Sequence, residues 1–259
     1  MQSNASEKSA SGISGHANAH LSGNVNRSAN DGTITRFGWK AQNKSLLMFA
    51  GEAYNVEMGV TNQLFPQERD ETPGCLFNAT PEDTLNFTPT PETTGNSNTA
   101  VISDIEAFAN FMRMLAPPAP ATPSSEKGRA TFARIGCVHC HTPSFTTGAK
   151  IASGSSTSPS AALSNQTANL YSDLLVHNMG KGLADGITQG GAGPDEFRTA
   201  PLWGVGQRIF FLHDGRTTNL VEAIRDHQSD GSEANEVIKR FNRLTTREQQ
   251  DVIDFLRSL

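Results

Sequence analysis

The stretch Cys137-Val138-His139-Cys140-His141 places two thiols three positions apart and a histidine directly after the second thiol. In c-type haem attachment, each of two such thiols adds to one vinyl group of the porphyrin, and the imidazole that follows becomes the proximal iron ligand. The stretch therefore predicts one covalently attached haem c, held by Cys137 and Cys140, with His141 on the iron.

Two other kinds of site use a Cys-x-x-Cys pair: a redox-active disulfide and one half of a zinc site. A zinc site needs a second pair of ligands, and the one other cysteine of the chain, Cys75, stands alone. A thioredoxin-like pair follows an apolar strand, whereas residues 125–136 have the pattern of a short helix that ends at glycine. The haem interpretation is therefore favoured, and Cys75 is either a free thiol or the partner of a cysteine outside this chain.

The composition of the 259 residues agrees with a haem protein that has long loops. Hydrophobic residues make up 36% of the chain and charged residues 18%, and much of the rest is Ser, Thr, Asn and Gly. A c-type cytochrome tolerates this composition because the porphyrin itself forms a large part of the core. The net charge of -5 leaves no basic surface for nucleic acid. No apolar run is long enough to cross a bilayer, so no transmembrane segment is expected.

The location of the protein is inferred from the haem. Covalent attachment of haem c takes place after export from the cytoplasm, so we expect a periplasmic or otherwise exported protein. The first residues, 1–8, lack the apolar region of a signal peptide. We therefore expect this chain to be a fragment whose upstream part is missing.

Four regions are predicted along the chain. Residues 1–35 are polar and without periodicity, which predicts a disordered tail. Residues 36–116 are predicted to be a helical and loop region, the remnant or the partner of a first domain. A proline-rich linker at residues 117–125 precedes a c-type cytochrome domain at residues 126–259. The predicted fold class is mainly α, a cytochrome c-like haem domain with long loops, preceded by a partial helical domain.

Two helices are expected to cross in the haem domain. The first, at residues 125–136, leads into the haem motif. The second ends the chain, where Thr245 and Glu248 are spaced as a capping box ahead of an apolar stripe. Such a crossing pair is typical of the c-type cytochrome fold.

Four stretches resemble the bacterial di-haem oxidoreductase family: residues 36–41 (RFGWKA), 170–180 (LYSDLLVHNMG), 197–206 (FRTAPLWGVG) and 211–216 (FLHDGR). This family, also labelled thiol oxidoreductase or di-haem peroxidase, is related to di-haem cytochrome c peroxidases. The resemblance spans about residues 12–259. Family members carry two Cys-x-x-Cys-His motifs, and this chain has only the second. The resemblance therefore implies that its haem passes electrons, while peroxidase chemistry takes place at the other haem.

The iron ligand opposite His141 sets the reduction potential, because methionine raises it and a second histidine lowers it. His227 is the first candidate, since it follows the apolar face of the helix predicted at residues 220–227. In the related peroxidases an axial methionine follows the His-Asp-Gly motif in a similarly placed helix. Met179 is the alternative, because it lies in a loop next to glycine. Water or another ligand remains the third possibility.

Other residues are predicted to support the haem. Arg198 and Arg216 are candidates to bind the haem propionates, since a guanidinium can bond two oxygens at once, and a surface salt bridge is the alternative for each. His177 and His213 are predicted to hold turns by bonding backbone or carboxylate groups. Trp203 is predicted to pack in the core rather than to carry electrons between two haems.

Two functional classes stay open at this point. In the first, the chain is the C-terminal part of a di-haem oxidoreductase that acts on peroxide or thiols, with its catalytic haem in a missing N-terminal domain or a partner chain. In the second, it is a mono-haem electron-transfer cytochrome without catalytic activity. Both classes need a redox partner, and only the first is an enzyme.

Overall fold

The computed structural model describes residues 34–68, 72, 74, 80–84, 102–120, 122–149, 151–153, 156–158 and 162–259. Most of the tail predicted at residues 1–35 lies outside these ranges, and so does Cys75. The chain divides into two compact units, one formed by residues 43–116 and the other by residues 1–42 together with 117–259. The second unit contains the haem motif.

Two helices form the described part of the unit at residues 43–116. Helix α1 spans Leu46–Met58, begins at a Ser45 side-chain cap and ends at Gly59 in the left-handed conformation. Helix α2 spans Asp104–Met114. Its first two N–H groups donate to the Asp83 carboxylate at 2.7 and 3.0 Å, so a distant side chain satisfies this helix end. The two helices pack against each other.

In the second unit, helices α3 and α6 make the most extensive contact between elements. Helix α3 spans Glu126–Ile135. The three other helices of this unit are α4 (Leu220–Arg225), α5 (Asn235–Asn242) and α6 (Thr246–Arg257), which makes six α-helices among the described residues. The predicted capping box of Thr245 and Glu248 is confirmed at the start of α6. Helices α3 and α6 approach so closely at Gly128 that a Cβ there would lie 1.8 Å from the carbonyl oxygen of Asp251.

Apolar side chains from α3, α4, α5 and α6 form the main core of this unit. The ring centroids of Phe132 and Phe255 lie 5.4 Å apart in an edge-to-face arrangement, and Tyr171 packs edge-on against Phe255 at 5.5 Å. The other fully buried members of the core come from each of the four helices and from the loops before α4: Ile135, Val205, Phe211, Leu220, Ala223, Phe241, Val252 and Leu256.

The predicted fold class, a mainly α cytochrome c-like domain, is wrong, because the described residues form a mixture of helices and small sheets. Three antiparallel two-stranded sheets are present. Strand β1 (Phe145–Thr146) pairs with β4 (Thr167–Ala168), β2 (Ile151–Ser153) with β3 (Ser156–Ser158), and β5 (Val176–Asn178) with β6 (Glu196–Arg198). Strands of two or three residues are too short to show an alternating pattern, which is why the sequence predicted loops instead.

No helix within the described ranges has the length and apolar character that crossing a bilayer requires.

Replacing Gly128 by Ala tests the close crossing of α3 and α6. Alanine at an ordinary helix position raises stability by up to about 1 kcal/mol. Here its methyl group meets the Asp251 carbonyl, so we expect the free energy of unfolding to fall by about 2 kcal/mol in urea titrations. Gly193 is the matched control, since a Cβ there would lie 3.5 Å from its nearest neighbour. Equal stability of Gly128→Ala and Gly193→Ala would show that the helices can separate without cost.

Candidate functional site

The Cys-x-x-Cys-His motif forms a tight turn directly after α3. Gly136 ends the helix with a φ of 103°, and residues 137–139 then form a single turn of 3-10 helix. The N–H groups of Cys140 and His141 both donate to the carbonyl oxygen of Cys137, at 3.3 and 2.9 Å. This turn places Cys137, Cys140 and His141 on the wall of one cavity.

The rest of that cavity is lined mainly by apolar side chains. Helices α3, α4, α5 and α6 all contribute to the lining, together with the loops that carry β5 and β6. Two thiols, an imidazole directly after them and apolar walls are the donors and the surroundings that a covalently bound haem requires. The residues of this cavity therefore fit haem c. Its apolar lining includes Phe132, Leu202, Phe211, Leu220, Val237 and Leu256.

His141 is oriented by a backbone carbonyl. Its Nδ1 lies 2.8 Å from the carbonyl oxygen of Tyr171. Because a carbonyl can only accept, Nδ1 carries the proton and Nε2 keeps the lone pair that a metal needs. Tyr171 holds this carbonyl in place with a left-handed φ of 49°, an uncommon conformation for a residue other than glycine. Packing of the Tyr171 ring on Phe132 and Phe255 supports the conformation.

His227 has the same arrangement on the same cavity. Its Nδ1 lies 2.7 Å from the carbonyl oxygen of Ala223, which again leaves Nε2 as the unprotonated nitrogen. Burial lowers the pKa of His227, so the ring is neutral at pH 7, as a metal ligand must be. Met179, the alternative ligand, also lines the cavity, directly after β5, and its N–H donates to the carbonyl oxygen of Asp195 at 2.7 Å.

The two arginines predicted to bind propionates have different surroundings. Arg198 lines the cavity, and its Nε donates to the carbonyl oxygen of Gly38 at 2.8 Å. Within the described ranges the other N–H groups of its guanidinium have no acceptor, and burial lowers the pKa of Arg198 to about 10. Arg216 does not line the cavity. It bonds the Asp214 carboxylate and the carbonyl oxygen of Gly182, both at 2.7 Å.

His177 lies beside Cys140, and the sequence analysis predicted a backbone or carboxylate partner for it without identifying which one. The two ring nitrogens of His177 lie 3.0 Å from the carboxylate of Asp173 and 2.8 Å from that of Glu233. Burial alone would lower the pKa of His177, but Cys140 and Glu233 outweigh it and raise the pKa to about 9. Both ring nitrogens of His177 are held by carboxylates, and neither is therefore available to a metal. The spacing of Asp173 and His177 was a possible signal, but Glu233 lies 56 residues further along the chain.

The aromatic part of the cavity wall was also not predicted. His213 stacks on Phe197 with ring centroids 4.3 Å apart, and Trp39 meets His213 edge-on at 6.3 Å. Buried Lys40 lies on the Phe197 ring, with its ammonium 4.0 Å from the ring centroid. Trp203, predicted to pack in the core, is 37% exposed and does not line the cavity.

Comparison with known proteins gives one family. The family model described as "Di-haem oxidoreductase, putative peroxidase" matches residues 2–259. No curated protein sequence matches significantly. Among solved structures, hydrazine synthase of Kuenenia stuttgartiensis, pressurised with xenon, has 18% sequence identity and a TM-score of 0.39, and the match covers 62% of this chain and 57% of that one. This similarity is too low to assign a fold or an activity.

Glu233→Ala tests whether the His177 cluster stabilises the cavity wall. Loss of this carboxylate leaves the buried His177 imidazole with one partner fewer, so we expect the free energy of unfolding at pH 7 to fall by about 2 kcal/mol. Glu236→Ala is the matched control, because it removes an exposed carboxylate that pairs with Lys239, and we expect almost no change. Urea unfolding measures both variants, and equal effects would contradict a stabilising role of the cluster.

Proposed function

This chain belongs to the di-haem oxidoreductase family, and we propose that it binds one haem c covalently through Cys137 and Cys140, with His141 and His227 as axial ligands. In this proposal the chain passes single electrons between redox partners. The haem supplies the one-electron chemistry of its iron when it is bound, and the protein supplies attachment, axial ligands and an apolar cavity.

The observation that carries this proposal is the shared arrangement of His141 and His227. Both line one cavity, and the Nδ1 of each donates to a backbone carbonyl, at 2.8 and 2.7 Å. A donor bond of this kind fixes the tautomer and the ring orientation of a histidine that ligates a metal. Of the two candidates opposite His141, His227 is therefore favoured over Met179. A second imidazole gives a lower reduction potential than methionine does.

Arg198 supports a cofactor that carries carboxylates. A partly buried guanidinium without an anionic partner is unfavourable, and a haem propionate on the cavity wall would supply that partner. The guanidinium can bond both propionate oxygens while its Nε stays on the carbonyl of Gly38. Arg216 is the weaker of the two candidates, because it does not line the cavity and each of its three guanidinium nitrogens already contacts Asp214 or Gly182.

With His141 and His227 as ligands, the iron would have no open position, so a haem held in this way would suit electron transfer rather than peroxide binding. We therefore propose that any reaction with peroxide or thiols takes place at a second haem in another domain or in a partner protein. The runner-up is a mono-haem electron-transfer cytochrome without catalysis. Because haem c is attached outside the cytoplasm, we place the protein in the periplasm or a comparable exported location.

His227→Ala tests the axial ligand. In protein produced together with a haem-attachment system, we expect the wild type to have a low-spin, six-coordinate visible spectrum. Loss of the His227 imidazole opens one iron position, so we expect His227→Ala to shift the ferric spectrum to high spin.

Met179→Leu is the matched control, because leucine fills a similar volume but offers no sulfur to the iron. We expect it to remain low-spin with unchanged band positions. A low-spin His227→Ala spectrum combined with a high-spin Met179→Leu spectrum would contradict the assignment and would identify Met179 as the ligand.

A further inference from the structure

Four histidines line the haem cavity, and the bonding of their ring nitrogens separates them: His141, His177, His213 and His227. His141 and His227 each have Nδ1 on a carbonyl, and His177 has both nitrogens on carboxylates. His213 differs from all three. In the part of the chain that the structure describes, neither of its nitrogens has a hydrogen-bond partner, and its ring is held by stacking alone.

The position of His213 is nevertheless well defined. Leu212, with a φ of 69°, turns the chain directly before it. The imidazole then stacks on Phe197, with an angle of 30° between the two ring planes. Phe197 belongs to strand β6, and the Lys40 ammonium lies on its ring. His213 is only partly buried, so its ring reaches both the cavity and solvent.

Four charged groups face His213. The pKa of His213 is lowered, and burial is the largest cause. The nearby carboxylates of Asp214 and Asp185 raise it, whereas the cations of Arg216 and Lys40 lower it. Both carboxylates are paired with the cations, Asp214 with Arg216 and Asp185 with Lys40 at 3.2 Å. The imidazole is therefore neutral at pH 7 in the surroundings that the protein provides.

We propose that His213 is a redox-linked proton site: it takes up one proton from solvent when the haem iron takes up one electron from a one-electron donor. The step balances, since ferric iron becomes ferrous, the donor loses one electron, and neutral His213 becomes imidazolium. Reoxidation by a one-electron acceptor returns the proton to solvent. This inference rests on the proposed function, because it requires a haem in the cavity.

The physical reason is electrostatic. One added electron makes the cavity more negative, and a negative charge close to an imidazole favours its protonated form. His213 therefore has a higher pKa when the iron is ferrous than when it is ferric. Below both pKa values the reduction potential is independent of pH, between them it falls as pH rises, and above both it is constant again. For one proton per electron the slope reaches about 59 mV per pH unit.

The test is the midpoint potential of the haem protein between pH 4 and 9, measured by spectroelectrochemistry. We expect the wild-type potential to fall with pH, starting below about pH 6.5, the usual pKa of histidine. His213→Gln keeps a polar side chain of similar size but cannot take up a proton in this range, so its potential should lose that fall. A His213→Gln variant that keeps the wild-type slope would overturn the proposal and point to a propionate as the proton acceptor.

A second pair of variants tests the sign of the effect without changing His213. Because Asp214 raises the pKa of His213, Asp214→Asn should move the falling region to lower pH. Asp230→Asn is the matched control, since Asp230 is an exposed carboxylate paired with Lys181, and it should leave the region in place. Equal curves for both variants would contradict the proposal. Failure of the proposed function would look different from failure of this inference, because the wild-type protein would then carry no covalent haem.

Discussion

The close contact between α3 and α6 is the interaction on which the rest of the haem-motif unit depends. With no side chain at Gly128, the backbone of α3 lies against the Asp251 carbonyl of α6. This contact brings Phe132 and Phe255 together, and Tyr171 packs on both rings. The Tyr171 carbonyl in turn orients His141, so the helix crossing and the geometry of the proximal histidine are parts of one packed assembly.

The helices were predictable from the sequence where local chemistry marks their ends. Ser125 and Gly136 mark the two ends of α3, and the capping box at Thr245 marks the start of α6. Each of these signals lies next to the helix that it marks. The sheets were not predictable. Strand β6 pairs with β5 about twenty residues away, and its Arg198 N–H also donates to the Trp39 carbonyl at 2.7 Å. Such pairings depend on the folded chain, which is why the mainly α prediction was wrong.

The site was predictable to the extent that single residues reveal their chemistry. The two thiols, His141, His227, Met179 and Arg198 were chosen by residue type and local pattern, and all of them line one cavity. The role of each remains a prediction. The Asp173–His177–Glu233 cluster and the aromatic wall around His213 were missed, because their partners come from distant parts of the chain. Residue type suggests a ligand, but only the fold shows which nitrogen is already bonded.

The bonding of the ring nitrogens divides the cavity histidines into separate roles. A carbonyl on Nδ1 fixes the tautomer of His141 and of His227, and carboxylates hold both ring nitrogens of His177. The most direct test of this account is a pyridine-haemochrome assay with visible spectra on the purified protein, produced with a haem-attachment system. The account predicts one covalent haem per chain in a low-spin, six-coordinate state. A chain that retains no covalent haem, or one whose haem is high-spin and reacts with peroxide, would contradict it.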